Sequence, residues 1–313
     1  MSERHEIVVV GAGPAGLSAA LVLARCRHQV LVIDSGRPRN AAAQEVHGFL
    51  TRDGVPPLEL RSLGRRDLRR YGVAVRRGTV EKARRRGADF ELELRGGGRL
   101  RAHALVIATG LRDRLPDIPG LRELYGRSVH HCPFCDGWEN RDRAIAVYGR
   151  GKAGYEVALK LTAWSDDVAL FSDGPSGLKR ERRRLLAAYR IPLHEQRIAA
   201  LEGRRGRLAR VRLADGSAIA RQALFFTTGS DQSCDLAAQL GCTFTRQGTV
   251  RTRRGERTGV PLLYVAGDAS HDVQLVTLAA AEGVKAAVYL HSDLAEERQR
   301  RIRERAARNQ RRR

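Results

Sequence analysis

The chain has 313 residues, 42% of them hydrophobic, with 57 Lys and Arg against 35 Asp and Glu, five Cys and a net charge of +22. That is enough for one large or two medium domains with real cores, and no apolar run approaches the roughly 18 residues that would cross a membrane. The charge invites a nucleic-acid reading, but only five of the bases are Lys, the Arg residues are spread evenly, and aromatic content is 5%, so neither a specific nucleic-acid partner nor a membrane is expected.

The first element is a continuous β-branched run, Ile7 to Val10, the pattern of a strand buried on both faces. Nothing before it resembles a signal peptide, so none is expected. It feeds Gly11-Ala12-Gly13-Pro14-Ala15-Gly16, then a helical run from Leu17 to Ala24, then a second strand from Gln29 to Ile33 that ends on Asp34. Strand, G-x-G-x-x-G, helix, strand and acid together make a dinucleotide-binding unit: the glycines serve a tight turn, close approach to a pyrophosphate and close helix packing, and the helix start faces the phosphates. Asp34 is placed to accept from a ribose hydroxyl.

Arg37-Pro38-Arg39-Asn40 and His47-Gly48-Phe49-Leu50 lie in an irregular stretch, followed by an Arg-rich helix from Leu58 to Tyr71. Strands are expected over Val73–Val80 and Phe90–Leu94, and a buried strand over Ala104–Ile107 that ends in Ala108-Thr109-Gly110. Two prolines between Arg112 and Gly120 mark a linker.

Next comes His130-His131-Cys132-Pro133-Phe134-Cys135-Asp136-Gly137-Trp138-Glu139. Five Cys predict roughly 0.08 chance C-x-x-C matches in a chain of this length, so the spacing is informative. Pro133 suits the first helical position, which makes Cys132 the N-cap and lowers the pKa of a thiol held there. Asp136 can shuttle a proton. A redox pair is the leading reading. Half a zinc site needs a second ligand pair, and Cys234 and Cys242 have the wrong spacing; packing cysteines remain the other alternative. One catalytic pair among five Cys fits a reducing cytoplasm better than a secreted disulfide scaffold.

A second strand–glycine–helix unit follows: Ala144–Tyr148, then Gly149-Arg150-Gly151-Lys152-Ala153-Gly154, a helix from Tyr155 to Trp164, and a strand from Val168 to Phe171 that runs into Ser172-Asp173-Gly174. Leu224 to Gly229 echoes the strand that ends at Gly110, so the second unit reads as an internal repeat of the first. Leu262 to Asp268 is a last buried strand, with a helix from about Val273 to Leu290. The Arg-rich tail from Glu297 onward is expected to be a solvated helix end fraying into disorder, open to adventitious contact with anionic surfaces.

In this order the motifs resemble the low-molecular-weight thioredoxin reductase family, over nearly the whole chain. The resemblance implies an α/β fold of two Rossmann-like three-layer dinucleotide-binding domains, the second inserted in the first: 1–114 and 236–313 for FAD, 115–235 for NAD(P) and the C-x-x-C. It implies FAD held by Gly11, Ala12, Gly13, Pro14, Ala15, Gly16, Asp34, Ser35, Asn40, Val80, Ala108, Thr109, Gly110, Gly267, Asp268 and Gln274, and NADPH or NADH held by Gly149, Gly151, Gly154 and Glu156. Cys132 matches the thiol that attacks the substrate disulfide, Cys135 the flavin-side thiol and Asp136 the acid. No metal is implied. The family's enzymes pass electrons from NAD(P)H through FAD and the disulfide to thioredoxin, work as homodimers and rotate their domains. Three departures stand out. The family's His-Arg-Arg clamp on a 2′-phosphate is replaced by Phe171-Ser172-Asp173-Gly174, where the acid is expected to disfavour NADPH; Val273-Gln274-Leu275 replaces Arg-Gln-Ala; and C-P-F-C-D is followed by Gly-Trp-Glu, with Arg37-Pro38-Arg39-Asn40 preceding His47-Gly48-Phe49-Leu50. The last is similar to a side branch that includes dithiol oxidases acting on small dithiols with O2. Those oxidases usually carry His where Asp136 stands, which favours the reductase. A flavoprotein that binds or senses without turnover is a further reading.

Overall fold

The computed structural model describes residues 3–270 and 273–310. They form two compact units: Met1–Arg39, Leu58–Arg112 and Asp231–Arg313 build the first, and Asn40–Pro57 with Asp113–Ser230 the second. The second is thus inserted in the first, and the segment expected within the first domain at 40–57 packs with the second.

Among the described residues, the first unit has a seven-stranded sheet. Its parallel part runs Ala74–Arg77, Val30–Asp34, Glu3–Val10, Arg99–Ile107, Leu263–Val265. The long strand Arg99–Ile107 has a divided edge: its first half pairs antiparallel with Asp89–Leu94, and its second half pairs parallel with Leu263–Val265. Alternate residues of each central strand enter different cores. Ile7, Val9, Val106 and Tyr264 pack under two helices, and Val8, Val10, Leu105 and Val265 pack under the antiparallel strands around Phe90 and Leu92. Both faces are covered, which is why the run Ile7 to Val10 shows no polar alternation.

The helix expected from Val273 to Leu290 instead runs Val276–Gln310. Its first half lies against the helix Pro14–Arg25, so closely that a Cβ on Gly283 would stand 2.0 Å from the Ala15 carbonyl oxygen. The predicted fraying is replaced by helix because Ala, Arg, Glu and Gln are strong helix formers. The helix is also pinned where it leaves the core: Asp293 pairs with Arg257, and Glu297 accepts from His103 at 2.7 Å and from Arg301 at 2.7 Å. From Arg298 to Gln310 it is exposed on every side. The last three tail residues lie outside the described residues.

The second unit repeats the plan. A parallel sheet runs Leu193–His194, Val168–Phe171, Ile145–Tyr148, Ala223–Phe226, Val129–His130, and an antiparallel sheet of Ile198–Arg204, Arg207–Leu213 and Ala218–Ala220 covers one face. Ala146, Phe171 and Leu224 face Val211 and Leu213; Ile145, Leu170 and Phe225 face the helices Gly151–Leu161 and Arg180–Ala188.

Two outcomes follow from this packing. Gly283→Ala should lower stability by about 1–3 kcal/mol, the usual cost of forcing a methyl into a filled contact, seen as a lower denaturant midpoint at unchanged slope. In the second unit, Arg183 and the Ser176 N–H and hydroxyl hold Glu195 at a pKa of about 2. A depressed carboxylate stabilises above its unfolded value and loses that contribution as pH falls through the folded one. Glu195→Gln should therefore be less stable than the parent at pH 7, with the gap closing between about pH 4.5 and 2 in urea titrations.

Candidate active site

Cys132 and Cys135 are joined as a disulfide, with Cα atoms 5.3 Å apart. Cys132 is the N-cap of the short helix Pro133–Asp136, with extended backbone (φ −120°, ψ 107°), and its sulfur accepts from the Cys135 N–H at 3.1 Å. Pro133 takes the first helical position, as its missing N–H allows. Gly137 follows because a Cβ there would meet the Pro133 carbonyl oxygen at 2.5 Å and the Trp164 ring at 2.8 Å.

Behind the pair lies a polar network that spacing alone does not show. The Asn140 side-chain amide donates to the Asp136 carbonyl at 2.8 Å and to His130 Nε2 at 3.3 Å. With Nε2 accepting, the imidazole proton sits on Nδ1, which faces Asp136 Oδ1 at 3.1 Å. His130 is buried and packs on Phe225, while His131 turns the other way, near Asp113 and Phe226. Asp136 is thus one half of a His–Asp pair. On the outside, Phe134 and Trp138 are 65% and 64% exposed, so they do not fill the core beside the helix start. Phe134 meets Trp164 edge-on, and the Arg141 guanidinium lies over the Trp138 ring at 4.2 Å.

The two glycine loops share one geometry. Gly11 N donates to the Ile33 carbonyl, and Ala108 N to the Val10 carbonyl, both at 2.8 Å; the same bonds recur from Gly149 to Phe171 and from Thr227 to Tyr148, both at 3.0 Å. A Cβ on Gly11 would stand 2.3 Å from the Ala108 oxygen, and one on Gly149 2.2 Å from Thr227 Oγ1. A Cβ on Gly16 would stand 1.9 Å from the Gly11 oxygen, and one on Gly154 2.5 Å from the Gly149 oxygen. The middle glycines differ in kind: beside Gly13 and Gly151 no atom lies within 4 Å of such a Cβ. Gly13 has φ −78°, so neither strain nor protein packing demands glycine there. Open space at the start of a twelve-residue helix is the cradle a pyrophosphate needs, so the first loop fits FAD.

Around that loop the expected residues have partners that spacing did not reveal. Asp34, expected to meet a ribose, accepts from Ala12 N at 3.1 Å, from Arg61 at 2.6 Å and from Arg65 at 2.5 Å. Arg61 is buried, which lowers its pKa, and Asp34 opposes that drop. Arg39 donates to Asp268 at 2.8 Å and to Gln274 at 2.6 Å, tying together two residues expected at the flavin. Gly267 has φ 81°, and its N–H is held by the buried Glu282 at 2.8 Å. Ser35 follows Asp34 half-buried, Thr109 and Gly110 close the strand end beside Ala108, and Val80 is buried in the core below the sheet. Asn40 belongs to the segment that packs with the second unit. Glu156 pairs with Lys152 at 3.4 Å on an exposed helix face.

The whole constellation has a match. The model of the pyridine nucleotide-disulphide oxidoreductases fits residues 5–283. Thioredoxin reductase tcpT of Claviceps purpurea is 32% identical over 84% of this chain and 86% of its own. The chain belongs to the thioredoxin reductase family of pyridine nucleotide-disulphide oxidoreductases. A bifunctional thioredoxin reductase/thioredoxin of Mycobacterium leprae is 36% identical over 53% of this chain and 37% of its own. Among solved structures, that of HlmI superposes with a TM-score of 0.94 at 39% identity, covering 99% of both chains. The chain is accordingly a thioredoxin-reductase-like oxidoreductase whose cofactors are FAD and NADPH or NADH. Among the described residues no helix is long and apolar enough to cross a membrane.

The chain has one disulfide, Cys132–Cys135, and three spare thiols: Cys26 and Cys234 half-buried, Cys242 buried. Denatured without reductant, the protein should titrate with three thiols, and with five after reduction. Burial raises the Cys242 thiol's pKa, so peptide mapping should find Cys242 the slowest of the three to alkylate in the native protein.

Proposed function

We propose that the chain passes electrons from NAD(P)H, through FAD and the Cys132–Cys135 disulfide, to the disulfide of a thioredoxin-like protein. The observation that carries this reading is a disulfide at a helix start whose two neighbouring aromatics, Phe134 and Trp138, are left open to a partner-sized surface. Relatives that include thioredoxin reductases, one of them fused to a thioredoxin, support it. So does the net charge of +22, which draws an acidic protein partner and speeds encounter.

FAD, held on the first glycine loop, supplies the two-electron link between the nicotinamide and the disulfide. Two electrons delivered to Cys132–Cys135 break the S–S bond and leave two thiolates, one of which takes a proton. Asp136, oriented by His130 and Asn140, moves that proton. The Cys132 thiolate, favoured by the Cys135 N–H and the helix start, attacks the partner's disulfide and forms a mixed disulfide while a partner thiolate leaves. Cys135 then attacks the Cys132 sulfur, releases the partner as a dithiol and restores the internal disulfide. The sum is NAD(P)H, a proton and a disulfide going to NAD(P)+ and a dithiol.

Asp136→Asn should lower turnover with thioredoxin by about 10²–10⁴-fold, the range lost with positioned acid–base help, while nicotinamide still bleaches the flavin. Insulin reduction coupled through an acidic thioredoxin should rise with thioredoxin and fall steeply with salt. Direct reduction of a small disulfide, with thioredoxin adding nothing at any ionic strength, would transfer the activity to a small-molecule substrate; turnover of a dithiol with O2 and no nicotinamide would mark a dithiol oxidase.

A further inference from the structure

The second glycine loop holds an arrangement that the sequence alone misreads. In a dinucleotide unit the residue just past the second strand sits by the ribose 2′ position, where an acid accepts from a 2′-hydroxyl and an Arg nearby takes a 2′-phosphate. Here that strand is Val168–Phe171, and the acid that follows is Asp173. Its carboxylate is already used inside the second unit. Oδ1 accepts from Ile198 N at 2.8 Å, and Arg197 Nε lies 3.8 Å from Oδ1. The backbone is left-handed at φ 50°, and the side chain is only 18% exposed. Asp173 is an internal clasp between this loop and the antiparallel sheet.

The charged group left on the outer side of the loop is Arg150, the second residue of the glycine loop and the N-cap of the helix Gly151–Leu161. Its Nε donates to the Ser172 carbonyl at 2.7 Å, and a terminal nitrogen bonds the Asp173 carbonyl. Both anchors are carbonyl oxygens; the nearest carboxylate contact, to Asp173 Oδ2, is 3.9 Å. Gly174 makes room for this pose, since a Cβ there would lie 3.0 Å from the terminal nitrogen. A guanidinium has five N–H donors, so two such anchors fix its direction and leave donors for an anion. The side chain is 55% exposed, and no acid occupies the first turn of the helix it caps.

We infer that Arg150 is the residue that recognises a nucleotide 2′-phosphate, making this chain selective for NADPH over NADH although the family's His-Arg-Arg clamp is missing. The inference rests on the reading of the second glycine loop as the pyridine-nucleotide site. Arg150 folds back from the phosphate loop onto the strand end, so one side chain spans the distance that a clamp on the following loop otherwise covers. Two backbone carbonyls fix it, and the Asp173 carboxylate comes no closer than 3.9 Å, so guanidinium donors remain for an anion. Asp173 Oδ1 is turned into the fold, where it accepts from Ile198 N.

The test uses the FAD-loaded full chain, with calorimetric titration by 2′,5′-ADP and by 5′-AMP. The parent should bind 2′,5′-ADP at least tenfold more tightly. Arg150→Gln should weaken 2′,5′-ADP by about ten- to a hundredfold, the effect of losing hydrogen bonds to a charged group, and leave 5′-AMP affinity within twofold. The ratio of kcat/KM for NADPH over NADH in flavin reduction should fall by the same factor. Asp173→Asn should leave the ratio unchanged, since Asn still accepts from Ile198 N. Equal binding of the two ligands by the parent, equal weakening of both by Arg150→Gln, or a rise in NADPH preference with Asp173→Asn would each overturn the inference. Binding of neither ligand would overturn it together with the assignment of the loop, whereas an NADH-selective parent would overturn Arg150's role alone.

Discussion

Both glycine loops in this chain depend on one backbone contact made twice. The carbonyl of the first glycine in each loop lies where a Cβ on the third glycine would be, at 1.9 Å for Gly16 and 2.5 Å for Gly154. No side chain fits there, so the helix start is drawn down onto the strand end, and the amides of its first turn face the same opening. The far wall is also backbone or near-backbone: the Ala108 carbonyl in one unit and Thr227 Oγ1 in the other. Strand, loop and helix are joined there by hydrogen bonds between parallel neighbours.

The short helix that carries the disulfide obeys a different constraint. It is four residues long, too short to be stable by itself, and is held by what surrounds it. Cys132 caps it through sulfur, Asn140 binds its Asp136 carbonyl, and Gly137 allows Trp164 to pack against its end. The Asp136 carboxylate faces the buried His130 imidazole at 3.1 Å. The solvent side is given to Phe134 and Trp138, an arrangement that costs apolar exposure unless a partner covers it.

The high positive charge is managed locally. Arg84 and Arg86 share Glu91, Arg210 and Arg212 share Glu202, and Arg61 and Arg65 share Asp34. The surface pairs contribute little to stability and mainly offset repulsion among bases. The exposed end of the last helix, Arg298–Gln310, has few acids to offset it and carries its excess outward.

The order of motifs was enough to determine the α/β class, the two strand–glycine–helix units and the pairing of two cysteines, because each rests on contacts between residues close in sequence: a glycine triad needs its three positions, and a capped thiol needs its proline. The unbroken runs at Ile7–Val10 and Ala144–Tyr148 likewise follow from burial on both faces. Tertiary structure decided what no spacing records. It brought Arg39 to Asp268 and Gln274, more than 200 positions away, and Arg61 to Asp34. It set His130 behind Asp136, and extended the last helix through anchors on Arg257 and His103. It also turned Asp173 inward and left Arg150 outside. A side chain's charge is written in the sequence, but the direction it faces is set by whichever donors and acceptors the folded backbone brings within about 3 Å of it.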